Sequence, residues 1–521
     1  MSARATRALS LSVTSILPLS VEPIIRALAA RGGRGGNNWK GAAVVFSSIV
    51  FLGLFFPATF FAYYTVPTRW RNALLALASI IFYAWGEPRY VIIMLTSVAM
   101  NFWLARLIDR IERRRKLMLG AAITINLLLL GIFKYSGFLV DNINGLLSSF
   151  SVPPLVIEPI ALPIGISFYT FHAISYLVDI YRRNAKPNRS LVDYSLYIML
   201  FPQLIAGPII RYKDIHTQLA QRTGTIDDIN AGIVRFTIGL AKKVLVANQL
   251  GLMADAGFNV PATQIGPAVA WLSLVCYTLQ IYFDFSGYSD MAIGLARIFG
   301  FRFPENFNYP YTATSIQDFW RRWHISLSTW FRDYLYIPLG GNRRGETRTL
   351  VNLWAVFLLT GLWHGASWNF VIWGAIHGFF LMMERIARNS RGESQFRIAA
   401  GLGRVYAMFV VMLAWVFFRA SSLNQAVQFL QALAGHWPRA QWTVSAEAIY
   451  STQAGVLIVA AMLLAGGLYA KLVTVTKRLW ENLAERALDG WVRTAMVAPA
   501  LVLCCMSLAL GQYNPFIYFR F

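Results

Sequence analysis

What most limits the fold of this chain is a repeated pattern: apolar runs with few charges, several of membrane-spanning length, separated by short loops in which the basic residues collect. Residues 43–64 form the first run and carry no charge. About 20 such residues, coiled as a helix, cross the ~30 Å of a bilayer's hydrocarbon. Further runs lie at 72–86, 90–107, 117–133, 157–180, 191–210, 269–298, 350–362, 368–383, 406–418, 454–472 and 491–510. The pattern predicts an all-α polytopic membrane protein with about eleven transmembrane helices, the shorter runs serving as re-entrant or half-helices.

Composition supports this and removes other classes. The chain of 521 residues is 57% hydrophobic and 14% charged, against about 25% charged in soluble proteins. Its net charge is +23, from 47 basic and 24 acidic residues. The bases sit in loops beside apolar runs, the positive-inside pattern, and no basic domain outside the runs exists to bind nucleic acid. The loop RLIDRIERRRK at 106–116 is accordingly placed in the cytoplasm. Cys276, Cys504 and Cys505 lie in apolar runs with no metal spacing, so neither a disulfide framework nor a metal site is expected. Residues 1–42, rich in Arg, Ser, Ala and Gly, read as a disordered basic extension, and 43–521 as one transmembrane domain. The segments 227–243 (Ile229, Ile233, Phe236, Leu240) and 423–433 (Leu423, Val427, Leu430, Leu433) have apolar residues at helical spacing and read as helices lying in the membrane surface. The run 269–298 holds Asp284 and Asp290, read as structural acceptors or tunnel groups. Its Gly-Tyr-Ser interruption suggests a broken helix.

Candidate chemistry concentrates at 318–378, taken as the catalytic core. DFWRRWHISLSTWFRDYLYIPLGG is followed by a basic turn at 341–348 and then by LLTGLWHGASWNFVIWGAIHG. His324 and His364 each follow a tryptophan in apolar surroundings, 40 residues apart (364 − 324). An imidazole at membrane depth is costly and titrates near neutrality, which suits proton transfer. One histidine can act as general base on an alcohol while the other polarises an acyl carbonyl. Gly361 and Gly365 are expected to give close backbone approach and room for substrate, and Asp318 and Arg322, four apart, to pair on a helix. Arg321, Arg322 and Arg332, with Trp323 and Trp363, are the candidate donor-binding groups; the arginines are equally readable as helix-end cations. His172 and His377 read as structural, and His216 and His436 as solvated. A transporter without chemistry is the rival class, but it predicts internal symmetry and dispersed polar residues, which the sequence lacks.

These two motifs, with LPIGISFYTFHAISYLVDIYR, FPQLIAGPIIRY and YFDFSGYSDMAIGLARIFGFRFPENFNYPY, resemble the membrane-bound O-acyltransferase superfamily from about Val44 to the C-terminus. The similar branch contains the alginate O-acetyltransferase membrane subunit and the D-alanyl transfer protein of teichoic acid modification. The resemblance implies a ring of helices around a central funnel and tunnel, in a bacterial inner membrane. It maps the near-invariant family histidine onto His364 and the second functional histidine onto His324. It also implies an acyl thioester donor (acetyl-CoA or an acyl carrier) as substrate with no bound cofactor. Transfer, most readily of acetyl, would be toward an exopolysaccharide such as alginate or cellulose, with a periplasmic SGNH-like partner. D-alanyl transfer is the alternative within the family.

Overall fold

The computed structural model describes residues 45–158, 160–391, 400–467 and 489–510. The extension at 1–42 and the end of the 454–472 run lie outside them. The fold is all-α. In chain order the helices are α1 (Phe51–Thr65), α2 (Arg71–Gly86), α3 (Val91–Arg110), α4 (Arg115–Ser149), α5 (Ile166–Tyr181), α6 (Leu191–Met199), α7 (Tyr212–Ala220), α8 (Ile226–Ala241) and α9 (Asn248–Phe258). There follow α10 (Pro267–Ile298), α11 (Ile316–Arg322), α12 (Ile325–Phe331), α13 (Glu346–His364), α14 (Trp368–Arg391), α15 (Ala400–Arg419), α16 (Leu423–Leu433), α17 (Thr452–Ala465) and α18 (Asp489–Ala509). Among the described residues, five helices are long and apolar enough to cross a membrane: Val91–Arg110, Glu112–Ser149, Pro267–Ile298, Trp368–Asn389 and Gly401–Arg419.

Several expected runs are reshaped, each for a physical reason. The run 191–210 is divided: α6 ends at Leu200 (φ −50, ψ 114), and a short helix Phe201–Leu204 with Pro202 in its first turn follows. Residues 196–210 are buried throughout, so this apolarity serves the interior. Within 157–180, helix begins only at Ile166, after Gly165 at φ 77. The run 117–133 does not stop at Phe133, because α4 continues through Lys134 for 35 residues, about 52 Å at ~1.5 Å per residue.

The largest correction concerns α10, which is one unbroken helix of 32 residues. Its glycines are contact points, not breaks. A Cβ at Gly287 would lie 2.7 Å from the Gly239 carbonyl oxygen, and one at Gly294 2.6 Å from that of Gly232. So α8 and α10 touch backbone to backbone, as small residues permit. The small and apolar face of α8 (Gly232, Phe236, Gly239, Leu240) is therefore buried, and protein, not the membrane surface expected for 227–243, covers it. Ion pairs flank the glycine seam: Lys243–Asp284 at 3.0 Å, Lys242–Asp290 and Arg235–Asp290 at 2.6 Å. Both aspartates are thus structural acceptors. In α16 the face buried against the protein is Ala426, Phe429, Ala432 and Leu433, while Val427 is exposed.

α10 is the central post: 78% of its apolar window is buried, against 17% for the helix Glu112–Ser149, which lies at the periphery. One end of the molecule gathers the basic loops. Arg183 pairs with Glu112, the Arg106 guanidinium donates to the Arg189 carbonyl at 2.9 Å, and Arg182 donates to the Asp333 carbonyl at 3.0 Å. The loop 106–116, the end of α5 and Asp333, which precedes the basic turn 341–348, therefore share one face.

Candidate active site

The site is built where two short helices meet the end of a long one. α11 is held at its start by Ser315, whose hydroxyl accepts from the Asp318 N–H at 3.0 Å. Glu384 of α14 accepts from the N–H groups of Ile316 (2.6 Å) and Gln317 (3.1 Å). These contacts satisfy the donors a helix start leaves open. The Asp318–Arg322 pair forms as expected, at 2.9 Å. The helix does not continue to His324. Trp323 turns extended (ψ 130), His324 adopts the left-handed conformation (φ 44, ψ 54), and α12 starts at Ile325. A non-glycine residue there is uncommon and costs on the order of 1 kcal/mol, a strain typical of functional sites.

The strap 303–311 holds this break open. The Asn308 N–H donates to the Arg322 carbonyl at 2.9 Å, and the Ile325 N–H to the Asn306 carbonyl at 3.0 Å. The Asn306 side-chain Oδ1 faces His324 Nδ1 at 3.1 Å and accepts from the Ser326 N–H (3.2 Å) and hydroxyl (2.9 Å). Its Nδ2 donates to Ser289 of α10 at 3.0 Å. The His324 ring stands edge-on to Phe285 of α10, with centroids 4.7 Å apart.

His364 is the last residue of α13, and Gly365 leaves in extended conformation. Lys134 of α4 caps this end: its ammonium donates to the carbonyls of Trp363 and, at 3.3 Å, His364, while the Tyr135 hydroxyl donates to Leu362 O at 2.8 Å. A cation at a helix C-terminus is favourable. The glycines of this motif provide close approach and not substrate room. A Cβ on Gly361 would overlap the Phe370 carbonyl, and one on Gly365 the Phe370 ring.

The two histidines come together across one indole. Trp363 lies 4.8 Å from the His364 ring and 6.3 Å from the His324 ring. The series extends further than the sequence suggests: Trp373 stands 5.0 Å from both His364 and His377, and Trp320 Nε1 donates to His377 Nδ1 at 3.3 Å. His324, His364 and His377 are all buried. Among the described residues the Nε2 of each has no hydrogen-bond partner, and neither has the Nε1 of Trp363 or Trp373. Five such atoms on adjoining rings are available to pair with a bound polar group. His172 accepts from the Ile210 N–H through Nε2 at 3.2 Å, while its Nδ1 has no partner among the described residues. No group of three or more His, Cys, Asp or Glu among the described residues is arranged to hold a metal.

A cavity of about 200 Å³ lies alongside, lined by Trp320, Leu327, Phe331, Arg332, Tyr336 and Thr360 among others. Thr360 is one turn before His364, and Arg332 adjoins the basic face. Of the candidate donor-binding groups, Trp363 is in the histidine cluster and Arg332, paired with Asp333 at 2.8 Å, lines the cavity. Arg321 is exposed and Arg322 is engaged by Asp318. Trp323 is packed among Phe307, Phe319 and Trp415. Sequence reasoning missed Asn306, Lys134 and Glu384. The available signal for Lys134 was a single cation following an uncharged run in GIFKYSGF.

An all-α membrane fold with two buried histidines against a shared indole defines a class, and comparison with known proteins agrees. The family model for MBOAT, the membrane-bound O-acyltransferase family, matches residues 168–423. The chain belongs to this family and is a membrane acyltransferase, which removes the transport-only alternative. It is 42% identical over 509 residues to "Probable alginate O-acetylase AlgI" of Azotobacter vinelandii, covering 92% of this chain and 100% of that one. It is 37% identical over 427 residues to the peptidoglycan O-acetyltransferase of Helicobacter pylori (75% and 80% covered). To the teichoic acid D-alanyltransferase of Bacillus subtilis it is 30% identical over 234 residues (42% and 58% covered).

Proposed function

We propose that this acyltransferase moves an acetyl group from a cytoplasmic thioester across a bacterial inner membrane for O-acetylation of an exopolysaccharide such as alginate, with His324 and His364 as catalytic residues. The observation that carries the reading is the pair of buried imidazoles, each with an unpaired Nε2, on either side of Trp363. One imidazole takes the proton of the acceptor hydroxyl as its oxygen bonds to the acyl carbon. The C–S bond breaks, and the imidazolium returns the proton to the departing sulfur. The other imidazole hydrogen-bonds the carbonyl oxygen as charge gathers there. The cavity beside Arg332, at the basic face, suits an approach of the thioester from the cytoplasm, whether acetyl-CoA or an acyl carrier. The immediate acceptor is a hydroxyl of the polymer or of a periplasmic SGNH-like partner. Acetyl is favoured over D-alanyl because likeness to the O-acetylase spans 92% of the chain, and likeness to the D-alanyltransferase 42%.

The test is ester acetate on the secreted polysaccharide in a deletion strain complemented with the wild-type chain, His324→Ala or His364→Ala. Either substitution is expected to remove the ester, a loss on the order of 10²-fold or more, at normal membrane level and normal polymer yield. Unchanged acetate in both variants overturns the catalytic roles.

A further inference from the structure

Resting on the catalytic reading of His324, we infer that Asn306 is a positioning residue that fixes the His324 tautomer and so leaves His324 Nε2 bare as a proton acceptor. The argument is a count of hydrogens at one buried junction. The backbone N–H of Ser326 points at Asn306 Oδ1 (3.2 Å), and a backbone N–H can only donate. That atom is therefore the amide's oxygen, and its NH2 is directed to Ser289. Ser326 carries a single hydroxyl hydrogen. Its oxygen accepts from the Ile209 N–H at 3.0 Å, and the hydrogen goes to Asn306 Oδ1 at 2.9 Å, not to His324 Nδ1 at 3.5 Å. Nothing else at the junction supplies a hydrogen for the 3.1 Å contact between Asn306 Oδ1 and His324 Nδ1. The imidazole must bring its own, so Nδ1 is protonated.

A neutral imidazole has one N–H and one lone pair. With the hydrogen on Nδ1, His324 Nε2 presents a lone pair, and this is the atom left without a partner at the cluster. It can take a proton from a hydroxyl and cannot donate to a carbonyl oxygen until it has done so. The opposite arrangement holds at His377, where the Trp320 N–H donates to Nδ1 and so assigns the hydrogen to Nε2. The cluster is thus polarised, with an acceptor at His324 and a donor at His377. In other catalytic sites the cost of a wrong tautomer is on the order of 10⁴-fold in rate.

The direct experiment uses the full-length chain, labelled with ¹⁵N-histidine and solubilised in detergent, with the His324 signals assigned by their loss in His324→Ala. The same variants are scored for ester acetate in cells. The wild-type chain is expected to show His324 protonated at Nδ1 with Nε2 bare. Asn306→Asp keeps an acceptor, and is expected to keep that tautomer and most of the ester. Asn306→Leu is expected to lose the fixed tautomer and lower the ester at least about tenfold at normal membrane level. Val427→Ala, at an exposed position of α16, is expected to change neither. A wild-type His324 protonated at Nε2 overturns the inference, as does full ester in Asn306→Leu while His324→Ala is inactive. Full ester in His324→Ala overturns the catalytic reading itself.

Discussion

Lys134 is the residue with the clearest untested consequence. It lies in the middle of a long apolar helix and donates to the last carbonyls of the helix that ends in His364. A helix-end cation contributes ~0.3–1 kcal/mol, and up to ~2 when partly buried. Lys134→Met keeps the stem and removes the charge. Ester formation is expected to fall about tenfold, the equivalent of ~1.4 kcal/mol, with the chain still in the membrane; unchanged ester would show that His364 needs no such anchor. His324 and His364 were legible in the sequence because an imidazole beside tryptophan in an apolar run is chemically expensive. Asn306 was not, because an asparagine between two prolines reads as turn chemistry, and its role depends on a strap folding back over a break 18 residues later (324 − 306). The proximity of His377 to His364 was not legible for a related reason: it runs through Trp373, a contact between side chains on different turns and helices.

At the scale of elements, the seam between α8 and α10 is the most exacting contact. A side chain at Gly239 would meet the Gly287 carbonyl oxygen and the backbone of Met291, and backbone cannot step aside as a flexible side chain can. Gly239→Val is expected to destabilise by at least the ~1–3 kcal/mol of ordinary overpacking. Gly131→Ala on α4, where nothing lies within 4 Å, is expected to be neutral or to stabilise by ~0.5–1 kcal/mol. Thermal unfolding in detergent reads both; equal melting of the two variants would sink the account. Beside the seam, Lys243→Met leaves Asp284 buried without its ion pair, a loss of ~3–5 kcal/mol, whereas Lys243→Met with Asp284→Leu is expected to recover much of it. Helix existence was legible from apolar periodicity, but helix ends were not. The same Gly-Tyr-Ser that signals a break in an isolated stretch is, opposite another glycine helix, a surface for packing. The left-handed residue at His324 leaves no mark in its own letter.

For the whole molecule, the shared basic face gives a topological prediction. Cysteines placed at Arg113 and Arg343, in a chain lacking Cys276, Cys504 and Cys505, are expected to react with an impermeant maleimide from one and the same side, and only after the inner membrane is opened. Labelling of either one in intact spheroplasts would overturn the assignment. The all-α polytopic class and the acyltransferase family were both legible from the sequence; the division of runs such as 191–210 was not, since apolarity alone does not say whether lipid or protein is the neighbour. The histidine cluster also has an uneven mechanical setting. Its wall on α10 belongs to a post welded to α8 by backbone contact and ion pairs, whereas the wall formed by α11 and α12 consists of two seven-residue helices joined at a left-handed residue. His324 stands where the two walls meet, braced from the post by the Phe285 ring and from the strap by Asn306, so a shift of either wall reaches the reacting nitrogen.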